Sequence, residues 1–423
     1  MSREAIQSVR GMRDIFAPYA LQLERLHAVS HALLQRYGYL PAQTPLLEKT
    51  GLFARSIGEE TDIVSKEMYT FADRNDESLT LRPEATAGVV RALIENGMLQ
   101  QTQRLYVEGP MFRYERPQKG RYRQFTQISV EAFGMADPAL DVELMAVSAA
   151  LFRELGVYDK VTLEINTIGL PEERRAYQQA LVAYLQDHVD ALDDDSRRRL
   201  TTNPLRILDS KDAGVQRVLD GAPVLADALG EASRAHFATV KALLDALGIA
   251  YRENPRLVRG LDYYCHSVFE WTTTALGAQG TVCAGGRYDG LVEQLGGKAT
   301  PAAGFAFGVD RIALLCEDTL AVSAAPDVYA IAADPALMAK LLPACEVLRA
   351  QGLRVVVQTD GQSLKNQLKK ADKSGAAHAL IIGESEAQAN AFTLKTLASG
   401  EQHTLPLADI LARLGIADTG MQA

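Results

Sequence analysis

The stretch GPMFRYERPQKGRYRQFTQISVEAFG, residues 109–134, decides the fold of this chain. Residues 105–114 and 123–134 are rich in aromatic and β-branched side chains, as strands are. The segment between them contains Pro117 and Gly120, which favour a turn. The sequence therefore predicts two antiparallel strands joined by a loop.

The loop of this hairpin is strongly basic. Between residues 113 and 123, five arginine or lysine side chains stand against the single acid Glu115, and five minus one gives a local charge of +4. Arginine forks match phosphate oxygens bidentately, so the loop suits a nucleotide or an RNA backbone. Taken alone, the loop is equally compatible with a solubilising hairpin tip.

Alternate side chains of a strand share a face, so the second strand divides into two sets. One set suits the floor of a small polar ligand site and comprises Arg123, Phe125, Gln127, Ser129 and Glu131. The other set should face a core and comprises Thr126, Ile128, Val130 and Ala132. An ordinary solvated strand face is the competing interpretation.

Length and composition describe a multidomain globular chain. Its 423 residues suggest roughly three domains. Forty-four basic and 53 acidic residues give a net charge of −9, which argues only weakly against a nucleic-acid partner because binding depends on local patches. The four cysteines form no C-x-x-C pair, and neither a secretory signal nor a membrane span is visible. We expect a cytoplasmic protein with reduced thiols.

Changes in amino-acid composition along the chain predict its division into domains. Residues 171–255 are rich in Ala, Leu, Asp and Arg and look helical, between segments that look like strands. After a small-residue linker at 321–326, strands and helices alternate, which argues for a compact α/β domain. We predict a larger sheet domain in two parts, 1–170 and 256–325, interrupted by a helical insertion domain at 171–255 and followed by a further domain at 326–423.

Two more arginines stand in glycine-containing segments. Arg259 begins RGLDYY, and Arg311 lies in GFAFGVDRIALL, where Gly304 and Gly308 flank a strand that runs into a helix. Glycine lets the backbone approach a ligand closely, and a helix start favours anions. No Walker A loop is present, so any ATP must be bound by arginines on a sheet. Each arginine taken singly is as compatible with a structural ion pair.

Together these segments resemble the histidyl-tRNA synthetase family of class II aminoacyl-tRNA synthetases. The three class II motifs are matched by PAQTPLLE (41–48), FRYE with RQF (112–115 and 123–125) and GFAFGVDR (304–311). The histidine signatures are matched by LVRGLDYY (257–264) and AGGRYDGLV (284–292). LTLRPEATAG (79–88), QISVEAFG (127–134), RGMRD near the start and GQSLKNQLKKADKSGA (361–376) extend the resemblance.

The resemblance implies an α+β fold and departs from the family pattern at two residues. It implies an antiparallel-sheet catalytic domain with a helical insertion and a C-terminal α/β anticodon-binding domain. Ala85 replaces the glycine of the family's RPEGT, and Thr126 replaces an aromatic residue or histidine. Ala85 needs only an ordinary φ, and Thr126 should point away from the pocket.

The resemblance also implies a reaction and its residues. L-Histidine is activated by ATP, with Mg²⁺, to histidyl-adenylate, and the histidyl group then passes to tRNA(His), releasing AMP and pyrophosphate. Arg113 and Arg259 are the implied catalytic residues. The implied ATP-binding residues are Arg113, Glu115, Arg121, Phe125 and Arg311, and the implied histidine-binding residues are Glu84, Thr86, Gln127, Glu131, Arg259, Tyr263 and Tyr264.

The resemblance further implies RNA contacts and a partner subunit. The implied tRNA-binding residues are Arg116, Gln118 and Lys119 of the basic loop, with Lys365 and Lys369 of a C-terminal helix. Lys365, Lys369 and Lys373 recur every four residues, while Leu364 and Leu368 form an adjoining stripe that should face the core. Motif 1 implies a homodimer. No resident metal site is predicted.

Two other functions compete with this interpretation. A non-catalytic, synthetase-like regulatory subunit of ATP phosphoribosyltransferase would lack the arginines and the anticodon domain. A class II synthetase for glycine, threonine or proline would lack LVRGLDYY and AGGRYDG. The presence of all these features favours the histidine enzyme.

Overall fold

The structure, a computed structural model, describes residues 6–58, 61–277, 280–359 and 363–416. Contacts divide the chain between Val322 and Ser323 into two compact units. Each unit has its own sheet, and each is described by itself.

An eight-stranded sheet forms the centre of the first unit, with strand order β1-β5-β6-β11-β10-β9-β7-β8. Its strands are β1 (Leu40–Ala42), β5 (Gln103–Phe112), β6 (Gln124–Phe133), β7 (Thr162–Thr167), β8 (Tyr251–Glu253), β9 (Cys265–Thr272), β10 (Thr281–Arg287) and β11 (Ala302–Gly308). A smaller sheet is formed by β2 (Leu47–Lys49), β3 (Tyr69–Ala72) and β4 (Ser78–Leu81). β1 runs parallel to β5, and β7 runs parallel to β8. The other neighbouring strands of the large sheet, from β5 through β6, β11, β10 and β9 to β7, pair antiparallel. The predicted α+β class with an antiparallel catalytic sheet is confirmed.

Helices cover both faces of the large sheet. They are α1 (Tyr19–Arg36), α2 (Thr50–Ile57), α3 (Thr86–Glu95), α4 (Ala139–Glu154), α5 (Pro171–Gln186), α6 (Asp194–Thr202), α7 (Ala213–Leu219), α8 (Leu225–Ala228), α9 (Glu231–Ala246), α10 (Leu291–Gln294) and α11 (Val309–Leu315). One core packs Leu26 of α1 and Leu144 of α4 against one face of the large sheet, to which β9 contributes Trp271. A second core covers the other face and joins residues of α3 to the helical segment 171–255, including Val89 and Leu181.

The predicted hairpin is β5 and β6, which pair antiparallel over their whole length, from Gln103 opposite Phe133 to Phe112 opposite Gln124. In β6, Ile128, Val130 and Ala132 are buried in the core on one face, as the alternation predicted for this strand. Because β6 is an inner strand of the large sheet, its side chains reach the middle of the sheet's face. The hairpin is therefore the element on which the site is built.

The segment 171–255 contains α5 to α9 and β8, so its helical character is confirmed. Its apolar residues Tyr177 and Leu181 share one core with Tyr264 and Tyr288 of the sheet domain. Contacts accordingly place the segment within the first unit. The boundaries of the four segments drawn from the sequence stay predictions.

The second unit is an α/β fold. Its sheet has the order β13-β12-β14-β15-β16, parallel among the first three strands and antiparallel among the last three. Its elements are β12 (Val328–Ala332), α12 (Met338–Ala350), β13 (Val355–Val357), α13 (Leu364–Ser374), β14 (His378–Ile382), α14 (Glu384–Gln388), β15 (Phe392–Thr396), β16 (Gln402–Leu405) and α15 (Leu407–Arg413). The predicted alternation of strands and helices is confirmed.

Helix α13 carries the lysine row. Lys365, Lys369 and Lys373 are all exposed, whereas Leu368 packs against a small core. The prediction that Leu364 faces the core is wrong, because this first helical residue is 38% exposed and Gln367 and Ala371 fill the buried face instead. The first two residues of the tail signature, 361 and 362, lie outside the described residues.

The four cysteines are free and buried, which confirms the prediction of unpaired thiols. Within the described ranges, no helix combines the length and the apolar character needed to cross a membrane.

Candidate active site

A single cavity of about 360 Å³ collects the predicted ATP- and histidine-binding residues on the sheet of the first unit. Its walls come from β6, β9, β10 and β11, from the start of α11 and from the segment before β9. The predicted residues that line it are Glu84, Thr86, Arg113, Glu115, Arg121, Phe125, Gln127, Glu131, Arg259, Tyr263, Tyr264 and Arg311. The fold thus brings all twelve together from distant parts of the chain.

Three arginines point their guanidinium groups into one end of the cavity. Arg113 directly follows β5, and its Nε donates to the carbonyl of Pro83 at 2.9 Å. Arg311, in the first turn of α11, donates from Nε to the carbonyl of Gly120 at 3.0 Å and from Nη1 to that of Thr281 at 2.6 Å. These bonds to main-chain oxygens fix the side chains without neutralising their charge.

The third arginine, Arg259, is held by a carboxylate. It forms an ion pair with Glu270 of β9, and both side chains are less than one-fifth exposed. Its guanidinium carbon lies 5.7 Å from the centre of the Tyr264 ring. Arg259 therefore links the arginine end of the cavity to the tyrosines described below.

The cations at this end are desolvated and repel one another. Burial, followed by the charges of Arg121 and Arg113, lowers the pKa of Arg311. Burial also lowers the pKa of Arg113, with Arg259 adding to the effect and Glu67 and Glu84 opposing it. A polyanion placed between these groups would replace repulsion with charge-assisted hydrogen bonds.

An aromatic ring and an ion pair flank the arginines. The guanidinium carbon of Arg113 lies 5.4 Å from the centre of the Phe125 ring. Glu115 pairs with Arg121 across the turn of the loop. A flat ring beside fixed cations suits a nucleobase attached to phosphates.

Two buried carboxylates, Glu84 and Glu131, also line the cavity, and we call their surroundings the carboxylate end. Glu84 caps the start of α3, where Oε2 accepts from the Thr86 N–H at 2.6 Å and Oε1 from the Ala87 N–H at 2.9 Å. Glu131 of β6 accepts from the Thr86 hydroxyl at 2.6 Å and from the Tyr288 hydroxyl. This end suits a ligand that carries N–H groups.

The pKa of Glu131 is raised to about 8, mainly because the carboxyl is buried. The negative charge of Glu84 raises it further, while the hydroxyls of Thr86 and Tyr288 oppose the shift. Glu131 is 1% exposed, and no cation contacts it among the described residues. A ligand N–H would supply the partner that its ionised form needs.

Three tyrosines close the carboxylate end. Tyr263 and Tyr264 have ring centres 4.7 Å apart, and Tyr288 lies 5.5 Å from Tyr263 and 6.2 Å from Tyr264. Gly304 of β11 lies opposite Glu131, where any Cβ would collide with the Glu131 carboxylate. The glycine is needed at that position for the carboxyl to lie flat against the neighbouring strand.

The alternation predicted for β6 is confirmed at most positions and wrong at Arg123. Phe125, Gln127, Ser129 and Glu131 line the cavity, but Arg123 does not, because it precedes the strand and stacks on Tyr114 with its guanidinium carbon 3.7 Å from the ring centre. The main chain of Thr126 borders the cavity, where its N–H donates to Asp310 Oδ2 at 3.2 Å, and the direction predicted for its side chain stays a prediction.

Ala85 has the ordinary backbone that its substitution for glycine requires. Its φ is −99°, and it is 1% exposed at the start of α3. Because this φ is open to any residue, the departure from the family's RPEGT leaves Glu84 and Thr86 free to adopt their geometry.

The predicted tRNA-binding residues are not part of the cavity. Arg116, Gln118 and Lys119 are exposed on the loop between β5 and β6, and Lys119 lies 4.0 Å from Glu317. Lys365 and Lys369 are exposed on α13 of the second unit.

Sequence reasoning missed two cavity residues that hold the predicted ones. Glu270 pairs with Arg259, and Tyr288 donates its hydroxyl to Glu131. Each left a signal, since Glu270 is a lone acid in the apolar strand segment VFEWT, and Tyr288 belongs to the quoted signature AGGRYDGLV. Arg206 of the segment 171–255 also lines the cavity and left no such signal.

No group of three or more histidine, cysteine or acidic side chains that could hold a metal ion occurs in the part of the chain that the structure describes.

Family models match most of this chain, and a known relative matches it over nearly its full length. The model described as Histidyl-tRNA synthetase matches residues 11–312, and the model described as Anticodon binding domain matches residues 327–415. A histidine–tRNA ligase of Laribacter hongkongensis is 52% identical over 416 residues, which cover 97% of this chain and 98% of that protein.

Solved structures of histidyl-tRNA synthetases are similar to this chain in fold. The apo histidyl-tRNA synthetase of S. aureus is 34% identical, with a TM-score of 0.79 over 97% of this chain and 99% of that one. The histidyl-tRNA synthetase of a Nostoc species is 21% identical with a TM-score of 0.71, over 97% and 99% of the two chains, and shows the fold alone. The match to the ligase over nearly its full length, together with the complete arginine set, disfavours the regulatory-subunit alternative. The chain therefore belongs to the histidyl-tRNA synthetase family and is a class II aminoacyl-tRNA synthetase that ligates histidine to tRNA.

Proposed function

We propose that this cavity carries out both steps of the ligation. In the first step, a carboxylate oxygen of histidine forms a bond to the α-phosphorus of ATP, and the bond from that phosphorus to pyrophosphate breaks. In the second step, a hydroxyl at the 3′ end of tRNA(His) attacks the histidyl carbonyl carbon, and AMP leaves. Transfers of this kind depend mainly on positioning and charge stabilisation.

The arginine end is the proposed ATP site. Arg113 and Arg259 would bind the α-phosphate from two sides, and Arg311 would hold the γ-phosphate. Phe125 would stack on the adenine, and Glu115, fixed by Arg121, would accept from its amino group. The support is that these cations are buried and held by main-chain carbonyls or by one carboxylate, so they need little rearrangement to bind phosphate.

The carboxylate end is the proposed histidine site. Glu84, Thr86 and Gln127 would hold the ammonium and carboxylate groups, with Arg259 between amino acid and phosphate. Glu131 and Tyr264 would contact the two imidazole nitrogens, and Tyr263 would close the pocket. A buried carboxylate left without its N–H partner is costly, so amino acids that cannot donate there would be rejected.

Mg²⁺ is proposed to arrive with ATP. This ion keeps several waters and binds phosphates with one or two carboxylates. Glu115, Glu270 and Asp310 are carboxylates that line the cavity near these arginines, and each is already paired with an arginine. The ion would neutralise part of the charge on the phosphates, while this chain's arginines hold the α-phosphate in place.

Two exposed basic surfaces are proposed to bind tRNA(His). Arg116, Gln118 and Lys119 lie on the loop that borders the cavity, which suits the acceptor end. Lys365 and Lys369 lie on α13, within the segment matched by the anticodon-binding model. A row of lysines at helical pitch follows phosphates without reading sequence.

A homodimer and a cytoplasmic location complete the proposal. Leu40, Leu46, Leu47 and Phe71, in and around the segment that resembles motif 1, are 41–62% exposed, which suits burial by a second copy. Sedimentation equilibrium should give twice the mass of 46.0 kDa. Four buried free thiols suit a reducing compartment.

One observation carries the proposal: arginines held by fixed partners and two buried carboxylates line the same 360 Å³ cavity. Exchange of pyrophosphate into ATP tests it, measured with each amino acid in turn. Exchange with histidine and with no other amino acid is expected. Exchange with another amino acid, or none with histidine, would overturn the assignment of the site.

A further inference from the structure

The segment 257–264 separates two cavities. On one side, Arg259, Tyr263 and Tyr264 line the catalytic cavity. On the other side, Val258, Arg259, Leu261 and Asp262 line a second cavity of about 300 Å³, whose opposite wall belongs to the helical segment 171–255. The backbone that carries the two tyrosines is therefore shared between the active site and the inserted helices.

Arg174 of helix α5 reaches across to this backbone. Its Nη1 donates to the carbonyl of Tyr264, and its Nη2 donates to the carbonyl of Asp262 at 3.3 Å. The two accepting carbonyls lie on either side of Tyr263 in the chain. One planar guanidinium thus fixes the direction of the backbone at the point where both tyrosines turn toward the cavity.

The same segment is held from the insertion by a second group. Burial raises the pKa of the Asp262 carboxyl, while the charge of Arg174 and a hydrogen bond with Asn203 oppose the shift. Asn203 caps the end of α6, so two different insertion elements meet the segment. Asp262 also donates its N–H to the carbonyl of Ile57 at 3.1 Å.

Arg174 differs from its neighbour in a way that makes the contact specific. Arg175 is the next residue of α5, is exposed and lines the second cavity. Arg174 is half-buried, and burial lowers the pKa of its guanidinium, an effect that the charge of Asp262 opposes. Neither arginine lines the catalytic cavity, so Arg174 can influence a ligand there only through the backbone that it holds.

We propose that Arg174 is a positioning residue through which the inserted helices set the histidine-binding tyrosines. The guanidinium orients Tyr263 and Tyr264 by holding the carbonyls of Asp262 and Tyr264. Movement of α5 would therefore change the fit of histidine, whereas Arg113 and Arg311, the ATP-end arginines that lie outside the segment 257–264, would keep their geometry. The inference rests on the proposed function, because it takes Tyr264 as a histidine contact.

The test uses the full chain and histidine-dependent pyrophosphate exchange. Arg174→Met keeps most of the aliphatic stem of the side chain and removes its donors, and Arg175→Met is the matched control. We expect Arg174→Met to raise the KM for histidine about tenfold or more, with the KM for ATP within about twofold of wild type. Arg175→Met should change neither. Arg174→Lys restores a charge that can reach one carbonyl, so its KM for histidine should fall between wild type and Arg174→Met.

A double-substitution cycle separates positioning from general stability. Arg174→Met and Tyr264→Phe should be non-additive in the KM for histidine, whereas Arg175→Met and Tyr264→Phe should be additive. A folded Arg174→Met protein with an unchanged KM for histidine, or with equal rises for histidine and ATP, overturns the inference. If Arg174→Met does not fold, the Arg174→Lys protein decides in the same way.

Failure of the underlying assignment has a different signature. If Tyr264→Phe alone leaves the KM for histidine unchanged, Tyr264 is not a histidine contact, and the proposed function fails at that residue. If Tyr264→Phe raises this KM and Arg174→Met does not, only the positioning inference fails.

Discussion

The catalytic cavity and the lysine row of α13 are both basic, yet they differ in burial and in how their charged groups are held. Arg113 and Arg311 are anchored to main-chain carbonyls at 2.9 and 3.0 Å, and burial lowers the pKa of each. Lys365 and Lys369 are exposed on a helix surface. Salt screens exposed charges over about 8 Å at physiological ionic strength and screens buried ones much less. Fixed, buried cations suit a small anion in one geometry, whereas an exposed row suits a long polyanion.

The largest expected effect lies in the cavity. Arg259→Ala should lower the rate of histidine activation about 10²- to 10³-fold, because it removes a fixed donor and leaves Glu270 buried without its partner. Rapid-quench measurement of adenylate formation gives the rate. Arg36→Ala, which removes the exposed pair with Glu154, is the matched control and should leave the rate unchanged. A rate for Arg259→Ala within threefold of wild type would contradict this role.

Glu131→Gln should have the next largest effect. The amide that replaces the carboxylate cannot offer two acceptor oxygens, so the imidazole should lose part of its recognition and the KM for histidine should rise about 10- to 100-fold. Pyrophosphate exchange at varied histidine concentration measures this change. Gln103→Glu, at the exposed start of β5, introduces a carboxylate away from the site and serves as the control. An unchanged KM would remove Glu131 from the histidine site.

The same substitution should change how stability depends on pH. The pKa of Glu131 is about 8 in the folded chain and about 4.5 when unperturbed, so between these values the folded protein keeps a proton that the unfolded chain releases. Wild-type stability from this group is therefore fully present below pH 4.5 and is lost as pH rises through 8. The pH-dependent gain in unfolding free energy of Glu131→Gln relative to wild type should therefore grow from about zero near pH 4.5 to roughly 5 kcal/mol above pH 8, at about 1.4 kcal/mol per pH unit.

Urea denaturation at pH 5 and pH 9, without ligands, measures the pH effect. The advantage of Glu131→Gln should be larger at pH 9. Equal differences between the two proteins at both pH values would show that Glu131 is ionised in the folded state throughout.

The smallest effect is expected in the second unit. Replacing Lys365 and Lys369 together by alanine should lower kcat/KM for tRNA charging by about 3- to 10-fold and reduce the slope of its salt dependence by about 1–2. Aminoacylation at 50 to 200 mM salt measures both. Lys340→Ala, on α12, is the control, because this lysine is bound to the carbonyl of Ala387. An unchanged salt slope would separate α13 from RNA.

The sequence predicts features that local patterns or motifs mark, and it misses contacts between distant residues. The β5–β6 hairpin was predictable because its period of two and its turn residues are local signals, and the twelve cavity residues were found through motifs. Arg123 was misplaced, since the strand begins only at Gln124 and the Arg123 guanidinium stacks on Tyr114 instead. Arg174 gave no signal, because its contact with Asp262 and Tyr264 joins residues about 90 positions apart. Leu364 was misplaced because periodicity does not show which end of a helix is buried.

The most direct test of this contrast measures two reactions in two variants. Histidine-dependent pyrophosphate exchange and tRNA charging are compared for Arg259→Ala and for the Lys365→Ala, Lys369→Ala double variant. Arg259→Ala should lose exchange and charging together, whereas the lysine variant should keep wild-type exchange and lose only charging efficiency. Normal exchange in Arg259→Ala, or slowed exchange in the lysine variant, would contradict the assignment of activation to the buried cavity.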